Sequence, residues 1–262
     1  MKINHKESFR DFGKQFTSHS KIDGYHGSLK MLIDITKPFE LKKIKNKKVM
    51  EVGSGSGRII KNLLKYSPAI ILGIEPSKAI KIAKKNIRSK IVEFKSIKGE
   101  DMNFKNEYDY IFSLGVIHHI PNHQMVTKKI YNSLKKKGQF ICWVYGHEGN
   151  QLYILFFDNL RRVTRLLPDF VLRIFSVCLN LITYIYGYLC NHINLPLKKY
   201  FIEVFNKCDF NKRNYIIFDQ LNPSYSKYFK KEELNDLLKK SGFKKIAIYH
   251  RHNYSWIAIA EK

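Results

Sequence analysis

Acidic residues are scarce in this chain: 22 Asp and Glu stand against 47 Lys and Arg, for a formal net charge of +25 over 262 residues. Such a surplus points to a polyanion partner, either nucleic acid or an anionic membrane. A plainer reading is a solvated surface rich in lysine, because lysines run along nearly the whole chain. The densest runs, Leu41–Lys48 and Leu134–Lys137, precede predicted strands, where solvated loops are expected. Cysteine is also sparse. Cys142, Cys178, Cys190 and Cys208 form no CxxC pair and no metal-ligand spacing, which excludes a disulfide framework and a zinc motif and suits reduced thiols in a cytoplasmic protein. The opening MKINHKESFRDFGKQF lacks an apolar core and a cleavage site, so no secretory signal is expected. Hydrophobic residues are not lacking: at 44% they provide for a core and exclude wholesale disorder.

From Lys48 onward short apolar runs alternate with helical ones. Val49–Val52, Ile70–Ile74, Ile91–Phe94, Tyr108–Leu114 and Phe140–Val144 suit buried parallel strands. Arg58–Tyr66 and Ser77–Arg88 carry apolar residues on one helical face, with Ser77 placed as an N-cap, and His123–Leu134 makes a further helix. Near the end, Lys231–Ser241 reads as a helix closed by Gly242, followed by strands Phe243–His250 and Tyr254–Ala260 pairing as an antiparallel hairpin. The pattern predicts an α/β fold with a mostly parallel sheet covered on both faces.

Gly146 to about Asn214 interrupts that pattern. Leu152–Leu167 is apolar with Arg161, Arg162 and Arg165 on one side, Pro168 breaks it, and Phe170–Cys190 carries the single charge Arg173. The second stretch is long enough to span a bilayer. Asn180, Thr183, three tyrosines and Gly187 make it a poor spanning helix, and spanning would part the C-terminal hairpin from its own sheet. A cap over the active site and an interfacial helical pair touching lipid are the two readings that remain. The chain thus divides into an N-terminal arm or lid (1–46), a core (47–146), a helical insert (147–214) and the rest of the core (215–262).

VMEVGSGSGRI, residues 49–59, packs three glycines into five positions after an apolar run. Glycine there lets a ligand lie against bare backbone at a helix N-terminus. The Lys–Ser/Thr pair of a triphosphate loop is missing, since Arg58–Ile59 follows, and a dinucleotide fingerprint would place its third glycine one position beyond Gly57. Glu51 sets a carboxylate close to the loop, which suits a cationic ligand over a pyrophosphate. Glu75, ending the second strand in GIEPS, is placed to accept hydrogen bonds from two ribose hydroxyls. After the third strand, Asp101 can accept from an adenine amino group and Met102 can lie against its ring.

These motifs together resemble the class I S-adenosylmethionine-dependent methyltransferases, most of all the broad small-molecule group. EVGSGSG is similar to the ExGxGxG loop, GIEPS to the ribose-binding acid, GEDM to the adenine-side motif, and FSLGVIHHIPN to the fourth-strand motif. LKKKGQFICWVYG resembles the lead into strand five. The resemblance runs from about Lys47 to Gly146 and resumes near Phe218. It implies a Rossmann-like seven-stranded sheet with the hairpin strands last, S-adenosyl-L-methionine as cofactor and S-adenosyl-L-homocysteine as product. It implies that Glu51, Gly53, Ser54, Gly55 and Gly57 surround the methionine part, Glu75 and Pro76 the ribose, and Asp101 and Met102 the adenine. Ser113 and Val116 would line the pocket near the sulfonium.

An alcohol or phenol acceptor also needs its proton removed, best by a group that titrates near neutrality. His118 and His119 end the fourth strand, and one of them, with His119 favoured, is the candidate base; a histidine that only shapes the pocket is the alternative. Tyr25, in the N-terminal arm, His118, Tyr145, Asp219 and Tyr225 are candidates for acceptor contacts. NPSY, residues 222–225, resembles the NPPY motif of adenine-amino methyltransferases, but there the motif directly follows strand four, where this chain has SLGVIHHI. The expected reaction is O-methylation of a lipophilic or sugar-containing small molecule, with peripheral contact at the inner face of the membrane through the insert. An RNA methyltransferase and a non-catalytic binding protein on the same fold are the rivals, and nucleic acid is the less favoured partner.

Overall fold

The alternation seen in the sequence is realised as one sheet of seven strands. They are β1 (Lys48–Val52), β2 (Ile70–Ile74), β3 (Val92–Lys95), β4 (Tyr108–Leu114), β5 (Leu134–Tyr145), β6 (Lys245–Arg251) and β7 (Ser255–Glu261). The structure, a computed structural model, describes residues 27–164, 167–221 and 225–262. Tyr25, Arg165 and residues 222–224 of the NPSY stretch therefore lie outside the described residues, as do the side chains of Arg161, Arg162 and Asp219.

The strand order is β3-β2-β1-β4-β5-β7-β6. β1 to β5 pair in parallel, while β7 runs antiparallel to both β5 and β6. The chain leaves β1 towards β2 on one side and returns to β4 on the other. That reversal opens a crevice beyond the carboxyl ends of β1 and β4, where open α/β sheets bind ligands.

Alternate residues of each strand face opposite sides of the sheet. Met50, Leu72, Ile111 and Phe140 pack on one face against Val126 and Ile130 of α4 (His123–Ser133) and Leu234 and Leu238 of α9 (Lys231–Ser241). Val49, Ile71, Phe112 and Ile141 pack on the other face against Leu32 and Ile35 of α1 (Leu29–Thr36) and Ile60 and Leu63 of α2 (Arg58–Leu63). Most boundaries shift by a residue or two from expectation, and two of the shifts have a visible cause. α3 (Ala79–Asn86) starts two residues after Ser77, whose hydroxyl still accepts from the Ala79 N–H at 3.2 Å. β5 begins at Leu134 and takes in the lysine run, because Lys135 pairs with Asp109 at 3.0 Å and the β4–β5 register shifts between Tyr108 and Tyr110.

The insert is helical: α5 (Gln151–Thr164), α6 (Asp169–His192), α7 (Lys198–Glu203) and α8 (Phe210–Leu221). It has its own small core, in which Leu172 and Cys190 of α6 meet Phe201, Phe205, Ile217 and Leu221. Gly242 ends α9 in the left-handed region at φ 110°, as a C-cap glycine does.

Candidate active site

The glycine loop is held by the strands beneath it. The N–H groups of Gly53 and Ser54 both donate to the Ile74 carbonyl, at 2.8 and 2.9 Å. Gly53 has φ +80°, and a Cβ there would lie 2.4 Å from Cγ2 of Val116, so this glycine lets the β4 loop press on bare backbone. Gly57 serves a different purpose. It precedes α2 at φ +86°, with Ile87 and Ala83 packed where a side chain would go. Gly53, Gly55, Glu75, Pro76 and Val116 line a cleft at the carboxyl end of the sheet, and Gly57 does not.

Burial separates the roles of the acids around the cleft. Glu75 lines the cleft and is 7% exposed; one carboxylate oxygen accepts from the Gly55 N–H and the other from the Ser77 N–H, each at 2.9 Å. The carboxylate thus ties the glycine loop to the start of the β2–α3 turn and keeps lone pairs for a ligand hydroxyl. Glu51 lies beneath the loop, outside the cleft lining, and is 2% exposed. Burial pushes its carboxyl up to about 8 against the opposing pull of Arg58, so it is largely protonated at neutral pH. The fixed charge expected of Glu51 is therefore not standing in the cleft. On the adenine side, Asp101 is exposed and Met102 is fully buried in the core, while Glu100 lines the cleft. One Glu100 oxygen is buried and has no hydrogen-bond partner among the described residues, which suits a donor arriving with a ligand. All three stand in or just after a 3-10 turn, Gly99–Asp101, and its tight pitch turns Glu100 inward and Asp101 out.

Ser113 does not reach the cleft: it is fully buried and its hydroxyl donates to the Val52 carbonyl at 3.2 Å. Ser54 is 4% exposed and also stands outside the cleft lining. Ser77, Gly99, Gly115 and Ile120 line the cleft unforeseen. Gly115 takes φ +84° beside Trp143, a conformation that favours glycine.

The two histidines part company. His118 is fully buried, and neither ring nitrogen has a partner among the described residues. Its ring lies 3.9 Å from that of Tyr145 and 4.2 Å from that of His119. Burial holds it well below the ordinary imidazole range, so it is an uncharged aromatic spacer. His119 lines the cleft, with Nδ1 3.1 Å from the Tyr225 carbonyl oxygen. A carbonyl only accepts, so Nδ1 is the donor, and in the neutral ring the lone pair is then on Nε2. Tyr225, expected to touch the acceptor, contributes this carbonyl. Its segment runs along the cleft edge, where the Lys227 N–H donates to the His118 carbonyl at 2.9 Å.

Tyr145 stacks on Tyr228 at 5.6 Å, Tyr228 meets Tyr153 of α5 edge-on at 6.3 Å, and Tyr153 stacks on Phe157 at 4.2 Å. An aromatic path thus leads from the histidines into the insert. Only Tyr145 was foreseen, because the path joins residues far apart in sequence.

No lysine or arginine stands among the described cleft-lining residues, which include Glu75 and Glu100. A phosphate would meet acids and no cation, whereas S-adenosylmethionine fits: hydroxyls for Glu75, an amine for Glu100, and Ile74 and Ile120 for a flat ring.

Residues 50–142 match the family described as methyltransferase domain. The chain is similar to the tRNA U34 carboxymethyltransferase of Helicobacter pylori (strain P12), 30% identical over 105 residues, which are 37% of this chain and 40% of that protein. The counterpart from Sulfurimonas denitrificans is 26% identical over 113 residues, 41% of this chain and 38% of the relative. The chain thus spans about 40% of the length of these relatives. Among solved structures, an S-adenosylmethionine-dependent methyltransferase from Mesorhizobium loti is 10% identical with a TM-score of 0.54, over 92% of this chain and 100% of the other. Human N-acetylserotonin methyltransferase, solved with S-adenosylmethionine, is 12% identical with a TM-score of 0.57, over 97% and 57%. At such identities the structural likenesses show the fold. With the matched domain, they show residues 50–142 to be a methyltransferase domain on a Rossmann-like fold, with S-adenosylmethionine as the cofactor for an acid-lined cleft that has no lysine or arginine among its described lining residues.

Proposed function

We propose that the chain transfers a methyl group to an oxygen of a lipophilic acceptor that approaches the cleft along the insert. The observation that carries this reading is the aromatic path from Tyr145 through Tyr228 and Tyr153 to Phe157 on α5. Bound S-adenosylmethionine supplies a sulfonium-activated methyl carbon, so the protein's part is to position the acceptor and exclude water. Glu75 fixes the glycine loop and the ribose side. Val116, pressed on Gly53, and the ring of Tyr145 bound the space in front of His119. His119, held by the Tyr225 carbonyl, presents Nε2 to take the proton of an acceptor hydroxyl.

RNA is the second reading, favoured by the net charge of +25 and by relatives named for a tRNA nucleoside. A carboxylated donor, such as carboxymethyl transfer requires, would seek a lysine or arginine that the described lining lacks. The test offers a radiolabelled methyl donor with bulk lipid extract and bulk tRNA in parallel. Label in the organic phase is the expected result, and label in tRNA alone would replace this reading with the second.

A further inference from the structure

α6 is built inside out. A surface helix of a water-soluble domain turns its apolar stripe inward and its polar residues to solvent. Here Ser176, Asn180 and Gly187, one or two turns apart, are buried, while Phe170, Ile174, Ile182 and Ile185 are each 61–65% exposed. The polar side is committed to the protein. Asn180 donates to the Phe210 carbonyl at 2.9 Å, and Asn206 donates to the Gly187 carbonyl at 3.0 Å. Over its 24 residues, about 36 Å, the helix therefore offers an apolar face that the rest of the insert does not cover. By length and composition α6 could cross a bilayer. Crossing would strip its buried polar side from these partners or carry α8 into hydrocarbon with it, so the face suits a surface it can lie against.

Charge identifies that surface. Phe170–His192 contains Arg173 and no acid, and the chain as a whole carries +25. Tyr184 and Tyr188 are 59% and 62% exposed on the same helix, and the Arg213 guanidinium stands 5.0 Å over the Tyr184 ring. Tyrosine and arginine beside an aliphatic stripe match the headgroup level of a membrane. We propose that α6 lies flat in the headgroup–acyl boundary of an anionic lipid bilayer, with its Ile174–Ile182–Ile185 face in the acyl region. α5 adds a second apolar face at Leu152, Leu155 and Phe156, each at least 60% exposed. The proposal needs neither cofactor nor acceptor, so its failure would leave the methyl-transfer reading intact.

Cys178 is exposed on α6 while the other three cysteines are buried, which lets the unmodified sequence carry an environment-sensitive thiol dye at the proposed contact. Phosphatidylglycerol vesicles should shift the dye to the blue and raise its emission several-fold. Phosphatidylcholine vesicles should do much less, and about 0.5 M salt should weaken the effect. Flotation of the doubly substituted Ile174→Glu/Ile182→Glu protein should fall by about tenfold, with its melting temperature kept because both positions face solvent. An unchanged dye signal, or flotation equal to that of the unsubstituted chain, would overturn the proposal. So would a dimer in light scattering that the glutamates dissociate while vesicles go unbound.

Discussion

Glu75 is the residue on which loop geometry and ligand binding most directly meet, and Glu75→Gln separates the two. In the native site each carboxylate oxygen accepts one buried N–H, from Gly55 and from Ser77, at 2.9 Å. Glutamine keeps the volume, but its amide nitrogen faces one of these donors. One charge-assisted bond is lost, the other becomes neutral, and a buried N–H is left opposed, at a combined cost of about 2–4 kcal/mol. For a chain of this size that predicts a melting temperature lower by about 5–15 °C. The ligand response changes as well. S-adenosylmethionine at about 100 times its Kd stabilises the native chain by about 2.7 kcal/mol. If the variant binds about 100-fold more weakly, as loss of one or two charge-assisted bonds implies, the same concentration contributes about 0.4 kcal/mol. Thermal unfolding of both proteins, with and without S-adenosylmethionine, reads both effects. A Glu75→Gln protein that melts with the unsubstituted chain and shows an equal ligand-induced rise would refute the argument from the carboxylate.

Three further substitutions follow from burial and charge. His118 sits uncharged in the native state while the unfolded chain takes up a proton near the ordinary imidazole value, so stability should decline as pH falls below about 6.5. His118→Phe keeps the stack on Tyr145 and should flatten that decline in acid unfolding. Glu51 behaves in the opposite sense: its carboxyl, raised to about 8, holds a proton that the unfolded chain has released, so stability falls as pH rises from the ordinary carboxyl range through 8. Glu51→Gln should match the unsubstituted chain below about pH 4 and melt increasingly higher than it as pH rises to 8. Arg251 is 6% exposed and pairs with Asp34, whose carboxyl is lowered to about 2, with His252 and Arg251 outweighing its burial. This pair stabilises the fold above the ordinary aspartate range and is lost as pH falls towards 2. Asp34→Ala should cost about 3 kcal/mol in urea unfolding, at the low end for a buried cation left unpaired because Asp34 is itself partly exposed. Finally, His119→Asn should lower kcat by at least about 100-fold and remove the acid limb of its pH profile, with S-adenosylmethionine affinity unchanged.

What could be read from the residues alone follows from the range of the interactions involved. The glycine loop is a local object: an apolar run, three glycines and a helix start within eleven residues, and its acid at the end of β2 falls where strand length puts it. Parity within β1 was equally local. Met50 and Val52 face one core, so Glu51 had to face the other, towards α2 and Arg58. Choosing between Glu100 and Asp101 needed the pitch of a three-residue turn, which no periodicity can reveal over so short a span. The aromatic path was beyond reach for a different reason, because residues 145, 153 and 228 meet only once the insert has returned its chain to the cleft edge.

α6 shows how a local pattern can be visible and still carry the wrong sense. In sequence, Asn180, Thr183 and Gly187 look like flaws in an apolar segment. In the fold Asn180 and Gly187 lie on the buried side, where α8 and the Asn206 amide use their polar groups, and the unbroken aliphatic face is what remains outside. Hydrophobic periodicity reports that a helix has two faces; which face the protein keeps is decided by the hydrogen bonds waiting on the neighbouring elements. The same inversion links the insert to the chemistry. A helix that spends its polar side on the protein leaves its apolar side for whatever lies outside, and the ring contacts from Phe157 and Tyr153 through Tyr228 to Tyr145 join the insert to the histidines at the cleft.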